Sequence, residues 1–213
     1  SLTAATVDDA ELLQEILERY PKLLAGDQFD PERPRRWLLV KREFGIPDGE
    51  NLGDRWSVDH LFLDQDAIPT LVEVKRSPDT RIRREVVGQM LDYAANAVAY
   101  WPAERLQFEF EATAEATGRD GSAVLQEFLG ADAEPAAFWA NAKTNMQAGR
   151  LRLVFVADKI PTELRRIIEF LNRQMDPTEV LGVEIPQFVG AGVRSLVPRV
   201  VGRAVGSGNG ASL

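Results

Sequence analysis

Residues 56–76 read WSVDHLFLDQDAIPTLVEVKR. Two stretches rich in apolar, β-branched and aromatic residues, 56–63 and 70–76, lie either side of a short polar turn at 64–69, and each has the length of a strand. So short a connection makes them antiparallel neighbours. In the first, Val58, His60 and Phe62 alternate with Asp59, Leu61 and Leu63. In the second, Glu73 and Lys75 stand two apart, so both project from one face of the sheet. Leu71, Val72 and Val74 mark that strand as buried, where a carboxylate and an ammonium are unfavourable unless paired or bound to metal. Asp59 supplies a second carboxylate from the neighbouring strand. Two carboxylates brought together repel, and a divalent cation relieves the repulsion. Mg²⁺ takes one or two protein carboxylates and completes its octahedron with water and phosphate oxygens. Such an ion polarises a phosphoryl oxygen and acidifies a bound water, while a neighbouring Lys positions that water and offsets developing charge.

Working outward, residues 8–20 carry Leu12, Leu13, Ile16 and Leu17 at helical spacing, closed by Pro21. Residues 36–44 read as a strand that ends at Gly45. After the decisive stretch, Ser77-Pro78-Asp79-Thr80 opens a long helix to about residue 101. Residues 104–149 are expected to form an acidic helical insertion or lid. Residues 151–157 make a short apolar run typical of a buried strand, and 161–175 an amphipathic helix. Residues 180–188 and 193–200 are expected as two strands joined in a hairpin by Gly190-Ala191-Gly192. Residues 204–213 read as a flexible tail. The expected fold is α/β, a central mixed sheet flanked by helices, in one domain over 1–203 with its core at 8–101 and 151–200.

Composition bounds the chemistry. The chain has 213 residues, no cysteine and a single histidine, which removes thiol catalysis, Cys-based zinc sites and multi-histidine metal sites. No apolar run approaches a membrane span, and no cationic, apolar leader opens the sequence, so a soluble cytoplasmic protein is expected. The net charge of −8 argues at first against a nucleic-acid partner. Its distribution does not: residues 104–138 alone hold eight acidic and two basic side chains, whereas 139–213 are net positive and 75–84 hold five cations against Asp79.

The pattern Asp59-x13-Glu73-Val74-Lys75, set in strand–strand–strand–helix order, resembles the PD-(D/E)xK nuclease superfamily, whose restriction-endonuclease-like fold has an αβββαβ core. The resemblance spans about residues 8–101 and, less specifically, 151–157. It implies a Mg²⁺- or Mn²⁺-dependent phosphodiesterase acting on DNA or RNA, with DNA as the first expectation. On that pattern Asp59 and Glu73 are metal ligands, the Val74 carbonyl assists, and Lys75 serves the attacking water. An acidic residue on the first helix is common in the superfamily, which points to Glu11 ahead of Glu15. A Gln on the helix after the motif is also common, and Gln89 fits. Val58 departs from the pattern by standing where the motif has its proline. Residues from Phe138-Trp139 through Asn145 and 149–153 to the hairpin also resemble a bacterial family that shares this fold and carries no assigned reaction. A homodimer is an expectation by analogy with the fold alone.

Each residue also has a structural reading. Glu73 with Lys75 or Arg76 can be an ion pair on an exposed strand edge. Asp8-x-x-Glu11 is a capping box. Gln89 can be a core amide satisfied by backbone, with Tyr93 beyond it on the same face. Trp37, Trp101 and Trp139 read as core or subunit interface. His60 points away from Asp59, and no Gly-x-Ser-x-Gly elbow accompanies it. Arg81, Arg83 and Arg84 start a helix whose dipole disfavours cations there, and with Arg76 they are the expected contacts to nucleic-acid phosphates. The rival to a nuclease is a non-catalytic nucleic-acid- or protein-binding module on the same fold. A hydrolase of small phosphate esters is a third reading, separated from the first two by salt dependence.

Overall fold

The structure is a computed structural model that describes residues 3–5, 10–47, 53–75, 85–190 and 193–202. Its centre is a six-stranded sheet in the order β2-β3-β4-β5-β6-β9. These strands are β2 (Trp37–Pro47), β3 (Asp54–Asp64), β4 (Pro69–Lys75), β5 (Arg152–Ala157), β6 (Glu179–Glu184) and β9 (Arg199–Val201). β3 is antiparallel to both β2 and β4, β4–β5–β6 run parallel, and β9 returns antiparallel to β6. The sheet is therefore mixed.

Helices cover both faces. On one side lie α1 (Ala10–Arg19), a 3₁₀ turn (Pro21–Leu24) and the short α2 (Gly26–Phe29). Leu13, Leu17, Leu24 and Phe29 from these elements pack on Phe62, Val72, Val74, Val154 and Val156. On the other side are α3 (Glu85–Tyr100), α4 (Ala103–Ala116), α5 (Gly121–Leu129), α6 (Pro135–Gln147) and α7 (Thr162–Gln174). Their Met90, Leu106, Leu125, Phe138 and Ile168 join Leu61, Leu71, Leu153 and Phe155 in a second core layer. β5 is buried along its whole length, as an inner parallel strand between two helical layers must be, and its sequence reads as a near-continuous apolar run for that reason.

The acidic stretch after residue 103 is helical as expected, and its apolar side chains belong to the main core. Asn145 of α6 donates at 3.0 Å to the carbonyls of both Asp66 and Ala67, tying these helices to the β3–β4 turn. Glu104 and Glu127 of the same helices stay exposed and paired with Lys143 and Arg119. No helix among the described residues is long and apolar enough to cross a membrane.

The C-terminal hairpin differs from expectation in its strand lengths. Instead of two long strands there are four short ones, with β7 (Gln187–Gly190) and β8 (Val193–Leu196) leaving the main sheet to join β1 (Thr3–Ala5). Pro186 and Pro198 interrupt the two arms at matching places, because proline has no N–H to give a ladder. Gly182 lets α7 and β9 close directly on β6: a Cβ there would lie 2.8 Å from Val201 of β9 and 3.2 Å from Ile168 of α7.

Candidate active site

β4 carries Glu73 into the middle of the sheet. The carboxylate is 2% exposed, on a strand with a hydrogen-bonded neighbour on each side. The β3–β4 ladder pairs His60 with Val72, and one further step in that register sets Asp59 opposite Glu73. There side chains take over from the ladder. Asp59 Oδ2 accepts the Val74 N–H at 2.7 Å, and the Glu73 carboxylate accepts the Asp59 N–H. Lys75, two residues on and on the same face, brings Nζ to 2.7 Å from Glu73 Oε1. Asp59, Glu73 and Lys75 thus converge. The ion pair of the structural reading exists, but on an inner strand rather than an exposed edge.

The electrostatics are strained in one direction. Burial, then the nearby Asp59 charge, push Glu73 up to about 7 against the pull of Lys75. Burial also raises Asp59, opposed by the Val74 N–H, Lys75 and a hydrogen bond from Gln14. Burial pulls Lys75 down, but Glu73 and Asp59 outweigh it and hold the ammonium above its ordinary value. Glu73 Oε2 is sealed from water and has no hydrogen-bond partner among the described residues. The other buried polar atoms in that condition sit on Trp37, Arg42, His60 and Trp101, so Glu73 is the one carboxylate among them. An unanswered buried oxygen is costly, and either a proton or a cation resolves it.

Gln89 sits one helical turn before Tyr93 on α3 and donates to the Tyr93 hydroxyl. Tyr93 lies within the electrostatic reach of Glu73, Lys75 and Asp59, so the amide meets the site through the phenol. Glu11 is placed differently. Its side chain is 72% exposed, and its Oε1 lies 3.9 Å from Arg42 Nη2. The α1 residue that reaches Asp59 is Gln14, which accepts from Arg42 at 3.3 Å and so turns its amide N–H₂ toward the carboxylate. The sequence holds a faint signal for this, since Gln14 lies between Leu13 and Leu17 on the shoulder of the apolar stripe. Glu43 was not anticipated either. The β2–β3 register puts it opposite Asp59, its backbone adopts a left-handed φ of 53°, and its charge adds to the raising of Asp59. Glu15 lines another cleft, with Trp37 and Phe110 at the β2 edge, that includes none of Asp59, Glu73 or Lys75.

His60 faces the opposite layer as expected. It is fully buried, its Nε2–H donates to the Gln14 carbonyl at 3.0 Å, and burial pulls it down to about 4. Trp37 and Trp101 are buried core residues. Arg76, Arg81, Arg83, Arg84 and Asp8 lie outside the described residues. Among the described residues no group of three or more His, Cys, Asp or Glu is gathered for a metal ion, so the constellation is a carboxylate pair with a lysine. Comparison with protein-family models, with curated proteins and with solved structures finds no match to this chain.

Proposed function

We propose that this protein is a divalent-metal-dependent nuclease, a phosphodiesterase that hydrolyses the backbone of DNA or RNA, with Asp59, Glu73 and Lys75 at its centre. One observation carries the reading: Glu73, buried on an inner strand opposite Asp59, has one carboxylate oxygen unanswered among the described residues while its other oxygen holds a lysine. The path α1, β2 to β4, α3, β5, with β4 and β5 parallel, agrees with the αβββαβ core implied by the resemblance to PD-(D/E)xK nucleases.

The donor set fits a hard ion. Asp59 and Glu73 offer carboxylate oxygens, the Val74 carbonyl follows Glu73 directly in sequence, and Cys is absent from the chain. Bound there, Mg²⁺ or Mn²⁺ would supply positive charge against a phosphoryl oxygen and acidify a bound water. The chain's own residues do the rest. Val74 N–H and Gln14 fix the Asp59 carboxylate in place. Lys75, kept protonated by its two carboxylates, acts as a donor rather than a base, holding a water or a phosphate oxygen and offsetting charge that develops on the phosphate. Tyr93, steadied by Gln89, closes the α3 side of the site. Arg76, Arg81, Arg83 and Arg84 would meet flanking phosphates.

The test offers labelled single-stranded, duplex and branched DNA, and RNA, to the full chain with Mg²⁺ or Mn²⁺, beside Glu73→Gln and Lys75→Ala. Each substitution should lower the cleavage rate by at least about 10²–10³-fold, the usual effect of removing one preorganised electrostatic group. Cleavage that persists in both variants defeats the assignment. Binding without cleavage in the wild type turns the reading to a binding module.

A further inference from the structure

β2 is an outer strand of the six-stranded sheet, bonded to β3 on one side and to no described strand on the other. Open edges invite pairing with another chain, and natural sheets blunt them with bulges, charges and proline. β2 is blunted over its second half. A bulge falls between Leu39 and Lys41, Lys41 and Arg42 are held by Glu109 at 2.5 Å and Glu18 at 3.6 Å, Glu43 turns left-handed, and Pro47 ends the strand. Trp37, Leu38 and Leu39 carry none of these devices. That unblunted stretch is the floor of a cleft of about 670 Å³. One wall is α1, with Glu15 and Arg19; the other is α4 and α5, with Phe110, Ala114 and Val124. The two walls differ in chemistry. On α4 the Thr113 and Thr117 hydroxyls turn back onto carbonyls of their own helix at 2.8 Å, which leaves that wall largely apolar. On α1, Glu15 and Arg19 make no ion pair among the described residues. They stand one helical turn apart, about 6 Å. Alternate side chains of an extended strand are about 7 Å apart.

We propose that this cleft is a peptide-docking site, in which an extended segment of a partner protein adds a strand to β2 at Trp37–Leu39. Its backbone pairs with the open edge. Its side chains alternate between the walls, apolar ones against Phe110, Ala114 and Val124, and polar ones against α1, where a basic and an acidic residue two apart answer Glu15 and Arg19. Helices on both sides of the floor leave room for a lone strand. A second copy of the chain would bring its own edge flanked by the same helices, so it fits less well. None of Asp59, Glu73 and Lys75 lines the cleft, and the proposal does not depend on the nuclease reading.

The experiment titrates the full chain into a set of fluorescein-labelled heptapeptides and reads anisotropy. The set has valine or leucine at odd positions, and at even positions one lysine, one glutamate beside it in either order, and a threonine. At least one member should bind. N-methylating one alternate set of its amides should weaken binding about tenfold and methylating the other set should not, because only alternate N–H groups face a partner strand. Thr117→Trp, at an exposed position on the α4 rim, fills the cleft and should also weaken binding about tenfold. Glu115→Trp, exposed on the same helix outside the cleft, should leave it unchanged. The methylation test needs no variant, so it decides even where Thr117→Trp melts early. No binding by any member overturns the site, as does equal sensitivity to the two methylation patterns, or full binding by a folded Thr117→Trp. A dimer in solution that Thr117→Trp breaks gives the edge to a second copy and overturns the peptide.

Discussion

At the end of β3 and β4 where the two strands turn, Asp64 is fully buried and both its oxygens are answered. Its Oδ1 accepts from the N–H groups of Asp66 and Ile68 at 2.9 and 3.0 Å, and its Oδ2 from Arg152 at 3.1 Å. Arg152, only 2% exposed, also donates to Glu179 at 2.7 Å and to the Thr70 hydroxyl at 3.2 Å, with its guanidinium against the rings of Phe29 and Trp37. At the other end of the same two strands Glu73 is equally buried, yet one oxygen finds no partner among the described residues and its proton affinity is raised. Both ends are buried charge on neighbouring inner strands. The difference is satisfaction: a closed network holds a fold in register, while an open one stores a demand for a ligand.

Removing Arg152 should give the largest effect on stability. Arg152→Met keeps the volume and strips the guanidinium from Asp64, Thr70 and Glu179, so thermal unfolding should show a loss of about 3–5 kcal/mol, the usual result of stranding one buried partner. For a chain of this size that is roughly a 10 °C fall in Tm. A melting point equal to the wild type's would place the Arg152 network on the same footing as a surface pair and erase the contrast.

Metal addition should act on the open end alone. At a hundredfold excess over Kd, Mg²⁺ or Mn²⁺ should stabilise the wild type by about 2.7 kcal/mol. The increment should survive in Arg152→Met and vanish in Glu73→Gln. Calorimetric titration checks the same point, and a metal response retained without Glu73 would move the site elsewhere.

Glu73→Gln without metal should stabilise, opposite in sign to Arg152→Met. At pH 8 the gain should be on the order of 2–3 kcal/mol: the raised pKa, in which the pull of Lys75 is already counted, at about 1.4 kcal/mol per unit. A destabilised Glu73→Gln would show that the carboxylate is part of a closed network after all.

These contrasts were unequally legible in the sequence. Glu73 and Lys75 share a face because strands have a period of two, and Asp59 meets Glu73 because a short turn leaves little freedom of register. Both followed from local spacing. Which α1 residue reaches Asp59 depends on how that helix is rotated against the sheet, and Leu13 and Leu17 set that rotation to present Gln14 rather than Glu11. Arg152 is the one charged residue in the apolar run at 151–157, and nothing local names its partner, because Asp64 lies 88 residues away. The break in the C-terminal arms was readable at Pro186 and Pro198, whose missing N–H groups outweigh the apolar pattern around them.

The smallest effect is a near-cancellation. Glu73 moves from an ordinary 4.5 to about 7 on folding, so the folded chain binds the extra proton and its contribution to stability falls as pH rises through that window. Asp59, also raised, has the same sign. His60, on the other face of the same sheet, moves from 6.5 down to about 4, so the unfolded chain binds the proton and stability rises with pH over its window. Between pH 4.5 and 6.5 the Glu73 and His60 slopes oppose each other. The single variants should expose them. Relative to the metal-free wild type, Glu73→Gln should gain as pH climbs from 4.5 to 7, and His60→Gln should gain as pH falls from 6.5 to 4. Denaturant titrations across this range read the two slopes directly. Parallel profiles for wild type and both variants would mean that neither group changes its proton affinity on folding, and the open end of β3–β4 would then be as neutral as the closed one.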